Sequence, residues 1–399
     1  MSDPGSRTPA AAPAAGASDS SFETELGELR HEIDAVDTRI LEELNRRAEF
    51  VLRVGQLKQN RSAGVYSAAR ERDLTDTLVA ANPGPFPDAG VRPVFREIVS
   101  ATRSLESRVR IAYLGPPGTF SHLAARDTFG AHAEYVAAAS LGEVFAIVER
   151  GEAEHGIVPV ENTTEGVVTP TLDALLASEL AISGESLLRI SHHLMSSSGQ
   201  LADVRRVASH PQPLAQCRIW LDRHLPGLER IEMPSTSAAA ELATREADVA
   251  AIGSSLVAEL CGLEILAGSI EDQRDNTTRF LVIGGDPPPP SGHDLTSVAY
   301  TVRKGESGAL HKLLKPFSDH GVNLASIQAR PLKGTPWEYV FFIDLEGHLK
   351  QPEVRAGFEA AAAFSNSHRV LGSFPRATEA RNPSRPSVGA PIKVDRADS

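Results

Sequence analysis

The sequence predicts three domains of different fold class: an all-helical domain, a middle α/β domain and a small C-terminal α+β domain. The first region has apolar residues at helical spacing, the second has short apolar strands that stop just before helices, and the third runs strand, helix, strand, strand, helix, strand. A length of 399 residues agrees with this division, because domains average roughly 150 residues. We place the domains at 21–108, 109–286 and 295–374, with a linker at 287–294.

The composition excludes some classes of binding partner. A net charge of −12 provides no basic surface for nucleic acid or for an anionic membrane, and no window reaches the ~18 apolar residues typical of a membrane span. Cys217 and Cys261 have neither metal-ligand spacing nor a disulfide pattern, which is typical of a reducing cytoplasm. We expect a cytoplasmic protein with a disordered leader at 1–20 and a disordered tail at 375–399.

A long amphipathic helix is predicted from Ser20 to about Asn60, where proline is absent and apolar residues recur every three or four positions. This length exceeds the ~25-residue limit of a lone globular helix, so the helix needs a long partner surface in a dimer or a bundle. A second helix is predicted around residues 69–78, and Pro93 is predicted to open a third.

Three cations on the long helix raise the question of a shared site. Arg47 and Lys58 are eleven residues apart and therefore share one helix face. Arg30 precedes Arg47 by seventeen residues, or about 25 Å along a straight helix. One small dicarboxylate cannot span that distance, so a common site needs Arg30 from an antiparallel copy of the helix. The alternative to a shared site is that all three are surface side chains whose aliphatic parts cover apolar neighbours.

Four short motifs distinguish the helical domain. They are LRHEIDAVD from Leu29, NRR from Asn45, VGQLK from Val54 and the pair Arg70-Glu71. Their spacing resembles that of the helical chorismate mutase domain that begins the bifunctional chorismate mutase/prephenate dehydratases. The resemblance implies a dimer with exchanged long helices and a pericyclic rearrangement of chorismate to prephenate. Such a reaction needs a compact substrate and a donor for the charge growing on the ether oxygen, but no nucleophile.

The resemblance implies eight chorismate-binding side chains. They are Arg30, Arg47, Lys58, Ser67, Arg70, Glu71, Thr102 and Glu106. Arg30 would come from the other subunit, and Lys58 together with Glu106 would donate to the ether oxygen as catalytic groups. Three positions depart from the family pattern, which has Asp, Ser and Gln where this chain has Ser67, Thr102 and Glu106. A helical domain kept only for dimerisation is therefore an alternative.

The middle domain repeats one kind of junction. Five short apolar strands stop in small polar residues before a helix, at about Gly115, Glu161, Ser209, Ser235 and Gly253. Such strand ends meet at the ligand crevice of open α/β sheets, although any one of them alone is typical of a turn or a helix cap. The first junction has neither the P-loop lysine nor the spacing of a dinucleotide fingerprint, so no nucleotide cofactor is predicted.

With the stretch RDNTTRF from Arg274, this series closely resembles prephenate dehydratase. The resemblance implies a two-lobed body like a periplasmic solute-binding protein, with prephenate between the lobes losing carbon dioxide and water to become phenylpyruvate. Thr278 is implied as the hydroxyl that donates to the departing group. The other implied prephenate contacts are Thr119, Ser121, Glu161, Asn162, Ser209, Gln216 and Arg279. His210 is expected to be a packing residue at a strand end.

The C-terminal domain resembles an ACT domain in its element order and in the stretch WEYVFFID from Trp337. In this family that domain binds phenylalanine at a subunit interface. The implied effector residues are Gly308, Ala309, Leu310, Gln328 and Arg330. The family usually has Glu-Ser where this chain has Gln328 and Ala329, so weakened inhibition and neutral drift in a packing strand both remain open.

The sequence therefore predicts a bifunctional, homodimeric or larger enzyme of phenylalanine biosynthesis that uses no metal or organic cofactor. Its partners are chorismate, prephenate and phenylalanine. Two rivals remain for the middle domain. One is an arogenate dehydratase, which performs the same chemistry on an amino-acid substrate. The other is a non-catalytic sensor of a small acid, because a two-lobed crevice joined to an ACT domain could bind without converting.

A carboxyl group at position 106 predicts a pH-dependent mutase, because Glu106 can donate a hydrogen bond only while it is protonated. Chorismate consumption should fall as the pH rises through the range in which Glu106 ionises. The variant Glu106→Gln should flatten this dependence, since an amide donates at every pH. An identical rate profile in the variant and the parent would remove Glu106 from the mechanism.

Overall fold

The computed structural model describes residues 17–59, 68–106, 108–302, 307–332 and 338–377. Only the backbone is described at 17–21, 58–59, 68–69 and 72. The chain divides into two compact units, residues 1–61 and 62–399. The predicted leader and tail lie largely outside the described residues.

In the first unit, α1 (Ala17–Gln59) is an unbroken helix of 43 residues. It confirms the predicted long helix and begins three residues before the predicted start at Ser20. Its apolar side chains are exposed, among them Leu29, Ile33, Val36, Ile40 and Val54. Burial of such a stripe would be favourable, so α1 presents a surface suited to a partner. Among the helices that the structure describes, none has the length and apolar character needed to cross a membrane.

The second unit begins with α2 (Ala68–Ala80) and α3 (Asp88–Arg103). The prediction that Pro93 opens the third helix is wrong, because α3 starts five residues earlier. Pro93 lies in the second turn of α3, where it has no N–H to donate to the carbonyl of Ala89, and the helix continues through it. The α3 helix packs closely on the α/β domain, since a Cβ at Gly130 would lie 2.3 Å from Ser100 Cβ.

The α/β domain has two lobes, each built around one sheet. The first lobe contains β1 (Arg110–Leu114), α4 (Phe120–Phe129), β2 (Glu134–Ala138), α5 (Leu141–Glu149), β3 (His155–Asn162), β4 (Gly166–Val167), α6 (Thr169–Ala177) and β5 (Ile182–Arg189). The second contains β6 (His193–Ser196), a 3-10 turn (Leu201–Asp203), β7 (Arg206–Ser209), α7 (Pro211–Gln216), α8 (Arg218–His224), β8 (Glu229–Glu232), α9 (Thr236–Arg245), β9 (Val249–Gly253), α10 (Ser255–Cys261) and β10 (Glu264–Ala267). The chain then returns to the first sheet as β11 (Thr277–Gly284). The predicted two-lobed α/β fold is confirmed.

The sheet topology places the start of β11 beside the end of β3. The first sheet has the order β2-β1-β3-β11-β5, with β4 added to β3, and the second has the order β10-β6-β9-β7-β8. Within these sheets β1 runs parallel to β2 and β3, and β7 runs parallel to β8 and β9. Because β11 is antiparallel to β3, its first residues lie at the same sheet edge as the last residues of β3.

The C-terminal domain is one antiparallel sheet of order β13-β14-β12-β15 with two helices. Its elements are β12 (Asp294–Val302), α11 (Ala309–Asp319), β13 (Leu324–Pro331), β14 (Tyr339–Glu346), α12 (Pro352–Ala362) and β15 (Ser365–Pro375). They occur in the predicted order, which confirms the α+β domain. Tyr300 and Phe317 belong to the core of this domain. Ala299 and Phe342 instead join the core of the first lobe, so the opposite face of the sheet is buried against the α/β domain.

Three buried histidines predict acid sensitivity. Burial lowers the pKa of His122, His155 and His193 to about 4 each. The unfolded chain retains the ordinary pKa of about 6.5, so it binds protons first as the pH falls. The free energy of unfolding should therefore be constant above about pH 6.5 and decrease from there to about pH 4. Each of the three histidines contributes a decrease on the order of 1.4 kcal/mol for each unit by which its pKa is lowered.

Urea denaturation followed by circular dichroism across this pH window tests the expectation. The variant His193→Gln should reduce the slope of stability against pH, whereas the same change at the exposed His320 should not. A denaturation midpoint that does not move over the window would contradict the role given to these histidines.

Candidate active site

The candidate catalytic hydroxyl belongs to Thr278, which is buried near the start of β11. The side-chain amide of Asn162 donates to Thr278 Oγ1 at 2.8 Å and to Asn276 Oδ1 at 2.7 Å. Among the described residues, the Thr278 hydroxyl has no further hydrogen-bond partner, so its own proton is available to a bound molecule. This arrangement favours a donor role for Thr278.

An extra residue in β3 sets this contact. In the antiparallel ladder between β3 and β11, Pro159 stands opposite Phe280 and Asn162 stands opposite Thr278. The register shift between these pairs is a β-bulge at Val160. Because successive side chains alternate between sheet faces, the bulge places Asn162 on the same face as Thr278. A regular β3 would point Asn162 to the opposite face.

The turn after β3 links this pair of residues to the second lobe. Asn162 Oδ1 accepts the backbone N–H groups of Thr164 and Glu165, each at 2.9 Å, which fixes the orientation of the amide. Gln216 at the end of α7 donates to Glu165 Oε1 at 3.4 Å. Gln216 Oε1 in turn lies 2.8 Å from His192 Nε2. Burial lowers the pKa of His192, so a neutral ring donates from Nε2 and orients Gln216.

Two hydroxyls of the second lobe hold the turn between β1 and α4. Ser237 donates to the carbonyl of Pro117 at 2.6 Å, and Ser254 donates to the carbonyl of Gly118 at 2.7 Å. Gly118 has a φ of +88°, and a Cβ there would lie 2.7 Å from Val257 Cγ2. Glycine is therefore required where the lobes meet beside the strand ends.

Several predicted substrate contacts also have local structural partners. Thr119 caps α4, and Ser121 is buried in the first turn of that helix. Ser209 is fully buried and donates to the carbonyl of Ile252 at 2.8 Å. His210, which we expected to be a packing residue, caps α7 by accepting a backbone N–H at its Nδ1. These contacts position the strand ends, and hydroxyl oxygens can still accept further bonds.

Arg279 extends to the face opposite Thr278. Its guanidinium donates to Glu185 Oε2 at 2.7 Å and to Asp344 Oδ2 in the C-terminal domain at 2.6 Å. Burial alone would lower the pKa of Arg279, but the Asp344 and Glu185 carboxylates outweigh burial and raise it, so the group is charged. Glu161 stands opposite Arg279 in the ladder. Both residues line a cavity of about 40 Å³ against the C-terminal domain. These surroundings differ from the contact with prephenate that the sequence predicted for Glu161 and Arg279.

The predicted chorismate-binding residues occur in both units of the chain. Arg30 and Arg47 lie on α1, whereas the side chain of Lys58 and all of Ser67 lie outside the described residues. Arg70 lies on α2, where its side chain is exposed.

On α2 and α3, Arg103 connects the helical region to the α/β domain. It donates to Glu71 Oε1 at 2.8 Å and to the carbonyl of Phe129 at 2.7 Å. Thr102 donates to the carbonyl of Ile98 at 2.8 Å, and Glu106 is half-buried just after α3. Glu71, one of the predicted chorismate contacts, would therefore share its carboxylate between the substrate and Arg103.

The predicted effector residues occupy two places in the C-terminal domain. Gly308, with a φ of +74°, precedes α11, whose first residues are Ala309 and Leu310. Gln328 lines the cavity beside Arg279. Arg330 forms a two-bond ion pair with Asp173 of α6. Gln328 and Arg330 thus lie on the face of β13 that is turned to the α/β domain.

The sequence reasoning missed three residues of this region. Asn276 lies within the RDNTTRF stretch and could have been chosen as a polar neighbour of Thr278. His192 and Asp344 gave no such signal, because their partners Gln216 and Arg279 are distant in sequence. In the described part of the chain no cluster of three or more His, Cys, Asp or Glu side chains is placed to hold a metal ion.

Three family models match the chain in order. Their descriptions are Chorismate mutase type II at residues 29–107, Prephenate dehydratase at residues 111–288 and ACT domain at residues 298–360. These matches confirm the three resemblances: to chorismate mutase in the helical region, to prephenate dehydratase in the α/β region and to an ACT domain in the C-terminal region.

Two curated relatives match over nearly their whole length. The bifunctional chorismate mutase/prephenate dehydratase of Aquifex aeolicus is 43% identical over 357 residues, covering 88% of this chain and 98% of the relative. The protein of the same name from Stutzerimonas stutzeri is 41% identical over 359 residues, with the same coverage. Identity at this level over all three regions shows the family.

Solved structures match the α/β and C-terminal regions. A prephenate dehydratase from Arthrobacter aurescens in complex with L-Phe is 36% identical with a TM-score of 0.61, covering 67% of this chain and 90% of that chain. A structure titled as GqqA, a novel type of quorum quenching acylases, is 32% identical with a TM-score of 0.62, covering 67% and 98%. Since similar folds carry different reported activities, the chemistry must be argued from the site.

The four hydrogen bonds of the Asn162 amide predict a structural role that can be measured without any substrate. Replacing Asn162 by Ala should lower the free energy of unfolding by about 2 kcal/mol, because two backbone N–H groups and the Thr278 and Asn276 oxygens lose a partner. The matched change at Asn366, an exposed amide with one 3.3 Å bond to a carbonyl, should cost less than about 0.5 kcal/mol. Equal losses in urea denaturation would contradict this assignment.

Proposed function

Because this chain belongs to the family of bifunctional chorismate mutase/prephenate dehydratases, we propose that it catalyses both reactions in phenylalanine biosynthesis. The helical domain rearranges chorismate to prephenate, and the α/β domain converts prephenate to phenylpyruvate. The support for the pair of activities is the match to relatives of that name along 88% of the chain.

We propose that Thr278 is the catalytic donor of the dehydratase. The bond between the ring and its carboxylate breaks, the electron pair completes the aromatic ring, and the bond to the ring hydroxyl breaks. The carboxylate leaves as carbon dioxide. The departing oxygen accepts a hydrogen bond from Thr278 and leaves at the hydroxide level, and a proton from solvent converts it to water. A threonine hydroxyl is a weak acid, so it assists by hydrogen bonding rather than by prior proton transfer. The supporting observation is the bond from Asn162, which occupies an acceptor position of Thr278 and leaves its proton for the substrate.

The proposed prephenate site extends from Thr278 along the turn after β3. Asn162 and Gln216 orient the substrate, and both are themselves oriented by hydrogen bonds from the backbone of Thr164 and from His192. Ser209 and Thr119 supply further polar groups at neighbouring strand ends. Closure of the lobes around these groups would exclude water and strengthen each hydrogen bond.

We propose a homodimer, or a larger assembly containing it, in which two antiparallel copies of α1 pair through their exposed apolar stripes. The stripe on α1 supports this assembly, as does the about 25 Å between Arg30 and Arg47 on one helix. In the dimer, Arg30 of one copy joins Arg47 and Lys58 of the other around the chorismate carboxylates. Those cations hold chorismate compact, which is the main requirement of a pericyclic reaction.

Phenylalanine is the proposed effector of the C-terminal domain. The relative from Arthrobacter aurescens was solved in complex with L-Phe, which supports an effector site for the same amino acid here. The proposed contacts are the start of α11 at Gly308, Ala309 and Leu310, together with Gln328 and Arg330 on β13. A cytoplasmic location completes the proposal, in keeping with the free thiols of Cys217 and Cys261.

A coupled assay from chorismate tests the proposed function. Chorismate loss and phenylpyruvate gain are followed by ultraviolet absorbance on purified protein, with and without phenylalanine. The variant Thr278→Ala should lose dehydratase turnover by about 100-fold or more, because a donor to the departing oxygen is removed. Its mutase rate should be unchanged. Thr278→Ser, which keeps the hydroxyl, should retain most of the activity.

Full dehydratase turnover in Thr278→Ala would overturn the role of this residue. Absence of phenylpyruvate from the parent protein, with turnover of arogenate instead, would replace prephenate as the substrate. Binding of prephenate without any product would identify a sensor rather than an enzyme.

A further inference from the structure

Two buried ion pairs connect the strand of Thr278 to a neighbouring strand of its own sheet and to the C-terminal domain. Arg279 directly follows Thr278, and its side chain is 17% exposed. Glu185, 3% exposed, comes from β5 of the same sheet, whereas Asp344, 11% exposed, comes from β14 of the C-terminal domain. Charges this deep in protein are screened little by water or salt, so both carboxylates attract Arg279 more strongly than surface partners would.

Asp344 is itself held by the C-terminal domain. Ser297 on β12 donates to one of its carboxylate oxygens, and Ser326 on β13 donates to the other at 2.9 Å. With Arg279, three donors therefore converge on one carboxylate. A change in the position of β13 relative to β14 would disturb this set of bonds.

The strand transmits such a disturbance to the active site over a single peptide unit. Thr278 and Arg279 are consecutive residues of β11, so their side chains lie on opposite faces and their backbones cannot move independently. A hydroxyl that assists bond breaking must be held within a fraction of an ångström, and a displacement of about 1 Å can cost 100-fold in rate.

A cavity beside the ion pairs gives this region room to rearrange. It has a volume of about 40 Å³ and is lined by Arg279, Ser326 and Gln328 among others. Arg279 Nη2 is buried and has no hydrogen-bond partner among the described residues. The strand that supplies Ser326 and Gln328 to this cavity also carries Arg330, one of the proposed effector contacts.

From this geometry we infer that Arg279 is a positioning residue through which the C-terminal domain controls the placement of the Thr278 hydroxyl. The inference rests on the proposed function, in which Thr278 is the donor. Arg279 does not touch the substrate. With the Asp344 bonds intact, Arg279 holds β11 so that Thr278 meets Asn162. When an effector shifts β13, the bonds to Asp344 change and the hydroxyl moves from its productive position.

The test weakens the contact from the C-terminal side. Asp344→Asn keeps the size of the side chain, and Glu185 still neutralises Arg279, so the fold is retained. Ser326→Ala removes only one donor to Asp344 and serves as the milder variant. Arg369→Gln is the control, because Arg369 also bridges the domains, through bonds to the carbonyls of Leu176 and Ser178, yet no such bond reaches β11.

On purified full-length protein, Asp344→Asn should lower the dehydratase kcat about tenfold while KM changes less than about twofold, the signature of a lost transition-state interaction. Ser326→Ala should lower kcat by a smaller factor, and phenylalanine should inhibit both variants less completely than the parent. Mutase rates should be unaltered. Arg369→Gln should keep the kcat of the parent.

Hydrogen exchange supplies a measurement that does not depend on catalysis. Amides of residues 277–280 should lose protection in Asp344→Asn and keep it in Arg369→Gln. Equal kcat values and equal protection in Asp344→Asn and the parent would overturn the inference, as would equal losses in Asp344→Asn and Arg369→Gln. Failure of the proposed function is a different result, namely no prephenate turnover in the parent, and the exchange data would still decide whether Asp344 positions β11.

Discussion

The hydrogen bond between Asn162 and Thr278 depends on one extra residue in the middle of a strand. The bulge at Val160 turns the last residues of β3 so that Asn162, rather than Glu161, shares a sheet face with Thr278. The bonds that the Asn162 amide donates to Thr278 and Asn276 follow from this change of face. The turn after β3 fixes the Asn162 amide, and through Glu165 that turn reaches the second lobe.

One strand serves two environments because side chains alternate along it. On one face of β11, Thr278 lies beside polar groups that suit a small anionic substrate. On the other face, Arg279 lies in a low-dielectric interface between two domains, where two carboxylates compensate its charge. The two faces cannot be changed separately, since they belong to the same backbone.

The sequence predicted the elements well wherever a regular pattern extended over many residues. The 43-residue α1 and the six elements of the C-terminal domain were found in the predicted order. Pro93 misled the prediction of α3, because this helix contains the proline in its second turn rather than at its first position. The length and apolar stripe of α1 alone also predicted a partner surface for this helix.

The sequence by itself determined the three fold classes, the family and the residue types of the site, since hydrophobic periodicity and short motifs are local properties of the chain. It placed Thr278 and Asn162 as candidates without showing that they meet. Only the tertiary structure decided which face each side chain occupies and which distant groups lie beside it. A single bulged residue reverses the face of Asn162, and Asp344, one of the two carboxylates that bind Arg279, lies 65 residues away in the sequence. Strand register and domain packing are long-range properties, so no local pattern contains them.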